Sequence, residues 1–199
     1  MMLTEDTPVP ASSLPMAAFK AHLRLGSGFA DDDLQDGVLE TALRASLAAI
    51  EARTGKILFA REFTFTLNDW RDPYDQPLPV APVSAISEVT VIDRQGAETV
   101  TDSDRWYLEP DAMRPRLRAA GGCLPTVPLG GRVRVGMLAG YGPEWDDLPA
   151  DLAQAVLQLA AHFNAYRHDV AMRGQGIPAE VQALIAPFRT VRLLGGGAR

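Results

Sequence analysis

Hydrophobic spacing divides the chain into a helical opening, an alternating middle and a helical close. Leu34, Val38, Ala42, Ala45 and Ala49 recur at three- and four-residue intervals, and Leu39, Leu43, Leu47 and Ile50 form a second stripe displaced around the same cylinder. Together they predict a helix over about 32–53 with two packing partners, stopped by Thr54-Gly55. Asp31-Asp32-Asp33 sets negative charge at the positive end of its dipole. Ahead of it, Pro8, Pro10 and Pro15 predict an extended opening until Ser13 caps a helix over 16–25, with Phe19 and Leu23 on one face and Gly26-Ser27-Gly28 as its stop. Each fully buried leucine or isoleucine contributes roughly 1.5–3 kcal/mol, so Leu43→Asp or Leu47→Asp should cost the fold heavily.

From Ile57 the period falls to two. Phe63-Thr-Phe-Thr-Leu67 alternates as a half-buried strand does. Residues 70–79 read as an irregular loop carrying two exposable aromatics, Trp70 and Tyr74. Further strands are predicted over 87–92, ended by the turn Asp93-Arg-Gln-Gly96, and over 106–108, 116–118 and 132–139. Gly140-Tyr-Gly-Pro143 closes this antiparallel unit. Asp147 then caps a helix running to about Asp169, with Pro149 in its first turn and Leu152, Ala155, Val156, Leu159, Phe163 and Tyr166 on one stripe. Gly174-Gln-Gly176 breaks it, and residues 178–186 predict a short last helix.

The fold class that follows is α+β. The chain reads as one domain, a helical bundle formed by the N- and C-terminal helices (about 14–55 and 147–187) with an antiparallel β insertion in the middle (about 57–141) and a flexible tail over 188–199.

Composition changes this picture little. A chain of 199 residues buries roughly 70% of its unfolded surface, and 47% hydrophobic with 22% charged residues is ordinary globular usage. The single Cys123 forms no internal disulfide, which suits a reducing compartment. Met1-Met2-Leu3 leads straight into Thr4-Glu5-Asp6 without the basic and apolar regions of a secretory leader, and no run approaches the ~20 apolar residues that span a bilayer. A net charge of −6 disfavours nucleic-acid binding unless cations are gathered on one face. Only the chain's end leans basic, with Arg173, Arg189, Arg192 and Arg199 against Glu180, either as solvated side chains or as a contact for an acidic partner.

Chemistry-bearing patterns fail one by one. His22, His162 and His168 include no pair at i, i+4, and no cysteine or carboxylate pattern completes a metal site. Asp31, Asp33 and Asp36-Gly37 approach a calcium loop, but the glycine falls one place late and position twelve is Ala42. Neither Gly26-Ser-Gly28 nor Gly195-Gly-Gly197 precedes the lysine and hydroxyl of a phosphate loop. There is no nucleophile elbow, and Cys123 has no cation beside it in sequence to activate it. Neighbouring carboxylates such as Asp72 with Asp75 or Asp146 with Asp147 are too common to assign. No catalytic residue, cofactor or metal is therefore assigned.

Several strings, in order, do carry a resemblance: Lys20-Ala-His-Leu-Arg24, Asp31-Asp32, Ile50-Glu-Ala-Arg-Thr-Gly55, Pro79-Val-Ala-Pro-Val-Ser-Ala-Ile-Ser-Glu-Val89, Ala139-Gly-Tyr-Gly142 and Leu148-Pro-Ala-Asp-Leu152. From about Phe19 to Arg189 the chain resembles the phage head-tail connector (adaptor) family, including the neck adaptor of gene transfer agents. The resemblance implies a structural ring subunit, dodecameric in the particle and compatible with a free monomer. It would sit beneath the portal protein, meet the next neck (stopper) or tail protein, and continue the DNA channel without binding DNA specifically. It would be cytoplasmic until assembled into the particle neck.

The resemblance also implies that the C-terminal region docks on the portal, and composition offers Phe188, Val191, Leu193 and Leu194 as anchors with Arg189 and Arg192 as charged contacts. Trp70 and Tyr74 are a second candidate surface for a neighbouring subunit or neck protein, unless Trp70 merely covers a small core. The alternatives are a small cytoplasmic enzyme whose site gathers His162, His168 and acidic groups, and a DNA-binding regulator, which the acidic balance disfavours.

Overall fold

The structure is a computed structural model that describes residues 1–24, 33–167 and 176–189. Among the described residues, four helices, α1 (Met16–His22), α2 (Asp33–Thr54), α3 (Ala150–Ala165) and α4 (Ala179–Ile185), pack on one another. Eight strands form two antiparallel sheets: β1 (Met2–Glu5), β2 (Arg61–Leu67), β3 (Asp75–Pro77), β4 (Val83–Ile92), β5 (Glu98–Val100), β6 (Trp106–Glu109), β7 (Arg116–Ala119) and β8 (Arg132–Ala139). The larger sheet runs β1-β2-β8-β4-β5 and the smaller β3-β7-β6. The α+β class holds. The β unit is not confined to the middle of the chain, because β1, from ahead of α1, pairs with β2 from Met2↔Thr66 to Glu5↔Phe63.

There are two cores. In the helical one, Leu39, Leu43, Leu47 and Ile50 of α2 meet Leu152, Ala155, Val156 and Leu159 of α3, with Phe19, Val181 and Ile185 closing the ends. The second stripe of α2 is thus its buried face. The first packs only in part: Ala42 is buried in the same core and Ala49 is half-buried against it, while Val38 is 43% exposed and Ala45 is exposed, and α2 meets α1 as well as α3. The Leu34 side chain lies outside the described residues. In the other core, Phe63, Phe65 and Leu67 of β2 join Val133, Val135 and Met137 of β8, Val89 of β4 and Leu117 of β7. Alternation explains this: the inward positions of β2 are buried, and those between them face outward.

Several boundaries differ from expectation for local reasons. Ser13 lies in a 3-10 turn (Ala11–Ser13) and caps nothing, since α1 starts after Pro15; Arg24 takes φ 54°, a left-handed conformation that ends this helix before Leu25. The carboxylate of Asp147 does not cap α3 either. It accepts the Glu144 backbone N–H at 3.0 Å within a 3-10 turn (Trp145–Asp147), and Pro149 precedes the first residue of α3. The loop expected over 70–79 contains β3, held by pairing with β7, and β5 was not foreseen. The last helix continues into a 3-10 turn, Ala186–Phe188, so Phe188 is not tail: it packs half-buried against the helical core. α3 ends at Ala165, with Tyr166 leaving the helical conformation at its C-terminal cap, rather than near Asp169. The stops expected at Gly26–Gly28 and Gly174 and the acidic start Asp31-Asp32 lie outside the described residues.

One buried cation joins the layers. Arg61, 8% exposed, donates from Nη2 to Glu51 of α2 at 2.7 Å, from Nε to Glu5 of β1 at 2.9 Å, and from Nη1 to the Phe59 carbonyl at 3.2 Å. Glu51 Oε1 also accepts the Leu58 backbone N–H at 2.8 Å, and the guanidinium lies 5.1 Å from the centre of the Phe63 ring. Burial opposes its charge, but hydrogen bonds and charge from Glu51 and then Glu5 outweigh it and hold the Arg61 pKa above its ordinary value. Beside this knot, Ala60 donates to the Gly142 carbonyl at 2.8 Å and Tyr141 to that of Leu58 at 3.1 Å. Gly140 is required here: its φ is +133°, and a Cβ would collide with the Ala60 backbone.

Removing the cation strands a mostly buried carboxylate. Arg61→Met should cost about 3–5 kcal/mol in urea unfolding, whereas Glu5→Gln, at the more exposed arm, should cost less than about 1 kcal/mol. Equal losses for the two would refute the central role given to the inner pair.

Candidate functional site, an arginine-lined cleft

Gly55 ends α2 in a left-handed conformation, φ +70°, with its N–H donated to the Glu51 carbonyl at 2.8 Å. That stop leaves Arg53 and Thr54 at the rim of a cleft of about 1070 Å³ between the end of α2 and the smaller sheet. Arg71, Asp72, Tyr74 and Asp75 supply a second wall, Leu78 to Val80 the apolar floor, and Met113, Arg114, Arg116 and Arg118 the far side, with Arg189 closing the C-terminal end.

Strand geometry explains the far wall. Arg116 and Arg118 are two residues apart on β7 and share a face, while Leu117 between them is fully buried. Both reach across the small sheet, Arg116 to Asp75 on β3 and Arg118 to Glu109 on β6 at 2.5 Å. The hydrogen bond and charge of Glu109 hold the Arg118 pKa above its ordinary value. Arg116 and Arg118 stay 38% and 41% exposed, so their charges still face the cleft's solvent. Arg53, Arg71 and Arg189 are exposed and make no ion pair among the described residues.

A turn and a buried lysine place Arg114. Asp111 Oδ1 accepts the backbone N–H groups of Met113 and Arg114, both at 2.6 Å, and those bonds hold its carboxyl below the usual carboxylate range. Lys56, fully buried just after the α2 stop, donates from Nζ to the Ala112 carbonyl at 2.7 Å. The opposite wall is braced from behind. Trp70 donates from Nε1 to the Pro125 carbonyl at 2.7 Å and packs on the sheet core, and the Tyr74 N–H bonds to Asp72 Oδ1 at 2.9 Å.

The residues singled out in the sequence therefore separate. Trp70 covers the sheet core. Tyr74, 62% exposed, and Arg189 both line the cleft, bringing together two segments read as unrelated surfaces. Phe188 faces the helical core instead, and Val191, Arg192, Leu193 and Leu194 lie outside the described residues. Charge segregation is stronger than the sequence suggested, because six arginines from four distant stretches converge on one cleft of an acidic chain. The one local signal was the alternation in Arg114-Pro-Arg-Leu-Arg118, which a strand places on one side.

Chemically the cleft is suited to carboxylates or other anions set against a partly apolar floor. His162 stands apart on α3, 4.8 Å from the Tyr166 ring, and His168 lies outside the described residues. Among the described residues no cluster of three histidine, cysteine or acidic side chains could hold a metal, and no helix is long and apolar enough to cross a membrane.

Lys56 makes this architecture sensitive to pH. Burial, opposed by the smaller pull of Asp111, lowers its pKa from the ordinary 10.5. Between the lowered value and 10.5 the unfolded chain holds the extra proton, so stability rises with pH across that window. Lys56→Met should abolish that increment, so the stability of the native chain relative to the variant, from urea unfolding at about pH 7 and about pH 10, should grow with pH. A constant difference would show that burial does not disfavour the charged amine.

No model of a known protein family matches this chain, and no curated protein does. Solved structures do. A chain in the neck of an empty gene transfer agent particle, computed with sixfold symmetry, is 48% identical over 98% of this chain and 99% of that one, with a TM-score of 0.89. A chain of the virion of the native particle matches at 48% identity over the same shares, TM-score 0.87. One in the native neck, computed with twelvefold symmetry, matches at 44% identity over 98% and 99%, TM-score 0.83. Agreement of this extent, nearly end to end in both chains and in sequence as well as in fold, leaves one assignment: the chain belongs to the head-tail connector (adaptor) family of gene transfer agent necks.

Proposed function

We propose that this protein is a structural neck adaptor, one subunit of a homo-oligomeric ring that sits under the portal of a gene transfer agent or phage particle and continues the DNA channel toward the tail. The observation that carries the reading is the near full-length match, at 48% identity, to a chain solved in such a neck. The twelvefold symmetry applied to the native neck of a similar protein supports a ring of twelve. The whole chain acts as one connector domain in which the helices form the bundle and the two sheets are its β excursion. The subunit is cytoplasmic, free as a monomer, before it assembles into the neck. The similar structures are parts of a particle, and they give no support to an enzyme.

The remaining contacts follow from charge and packing. An excess of acidic residues lets DNA pass along a channel wall without the salt-dependent grip that neutralising its phosphates would create. The C-terminal residues Val191, Arg192, Leu193 and Leu194 dock on the portal, with Arg189 as a charged contact and Phe188 as the fixed point on the helical core from which they depart. Tyr74 meets a neighbouring subunit or the next neck or tail protein, and Trp70 holds its loop in place.

The function is tested by removing the chain from a producing host. Heads should then accumulate without tails or leak their DNA, and normal tailed particles would reject the adaptor role. Ending the chain after Arg189 should leave a folded protein, since every described helix and strand is retained, while abolishing capture by purified portal. Portal binding at native strength by this truncated form would refute the docking role of residues 190–199.

A further inference from the structure

We propose that the arginine cleft receives the carboxylate-rich turn at residues 144–151 of a second copy of this chain, forming one half of a head-to-tail subunit contact. The proposal rests on the ring reading above and names the partner of the cleft within it. A cyclic ring needs two different surfaces that fit each other, because each subunit meets its neighbours through opposite sides.

Charge identifies the pair. The cleft holds six arginines and two aspartates; the rest of the chain holds 23 acidic against 13 basic residues, so a second copy presents mainly acid to this cleft. The longest stretch without lysine or arginine lies between Arg134 and Arg167 and contains Glu144, Asp146, Asp147 and Asp151, all exposed. None of the four makes an ion pair among the described residues. The turn is preformed, since Asp147 fixes the Glu144 backbone and Trp145 packs on Phe59 with ring centres 6.3 Å apart. It also contributes nothing to its own chain's cleft, so it is available to a neighbour.

The other occupants fit less well. Residues 190–199, which leave directly from Arg189, add Arg192 and Arg199 and no acid, and like charges would repel them from the cleft. A DNA duplex would be repelled at long range by the chain's net charge of −6.

The test places a photo-cross-linking residue, p-benzoylphenylalanine, at Tyr74 or at Arg53 in the full chain, and irradiates particles purified from a producing host. The expected product is an adduct of twice the 21.5 kDa chain whose cross-linked tryptic peptide spans 135–167. With the chain present in particles, an adduct to another protein, to DNA or to a different peptide of this chain, or no adduct from either position, would overturn the proposal. Absence of even the unsubstituted chain from particles would count against the neck reading itself. A charge swap checks the pairing independently: R53E with R71E, and D146R with D151R, should each lower incorporation into particles by about fivefold or more, and the combined chain should recover it. Failure of the combination to recover would likewise overturn the pairing.

Discussion

A guanidinium is costly to bury, and Arg61 is buried where the helical layer meets the larger sheet. That position is tolerable only because Glu51 arrives from the end of α2, Glu5 from β1 and the Phe59 carbonyl from the preceding turn, so the helix end, the turn and a strand 56 residues away in sequence must be in place together. The requirement fixes the end of α2 against the start of β2. It also recruits the first residues of the chain into the sheet edge. A hydrophobic side chain at position 61 could fill the space, but it would impose no such geometry.

The cleft inherits its shape from that junction. Gly55 stops α2 six residues before Arg61, Lys56 ties the stop to the 111–114 turn, and β7 lays Arg116 and Arg118 along the facing wall. Three of its six cations, Arg53, Arg116 and Arg118, are thus set by a helix end and a strand, and Arg114 by the turn that Asp111 and Lys56 hold. A subunit that must repeat the same contact around a ring benefits from such rigidity, since each small angular error recurs at every interface.

Much of this was legible in the sequence where burial imposes a period. The stripe Leu39, Leu43, Leu47, Ile50, the alternation in Phe63-Thr-Phe-Thr-Leu67 and the strand at 132–139 are all written in hydrophobic spacing, and Thr54-Gly55 marks its own stop. What was not legible has no period. β1, β3 and β5 are short and exist because a partner strand offers hydrogen bonds, and Ser13 and Asp147 are good caps that tertiary packing did not use where propensity placed them. The cleft was hidden for the same reason. Arg53, Arg71, Arg114 and Arg189 are unremarkable singly, and only the folding of α2 against the smaller sheet assembles them. Family membership was readable earlier than the site, because the order of caps, turns and strand starts survives in the string while the gathering of charge does not.

The central claim is that this chain forms a ring in the neck of a particle. Cryo-electron microscopy of particles from a producing host tests it most directly, by fitting the four helices and two sheets into density between head and tail. The account predicts twelve copies around the channel beneath the portal, each holding its arginine cleft toward a neighbouring copy. Density there that belongs to another protein, with this chain absent from the particle, would contradict it.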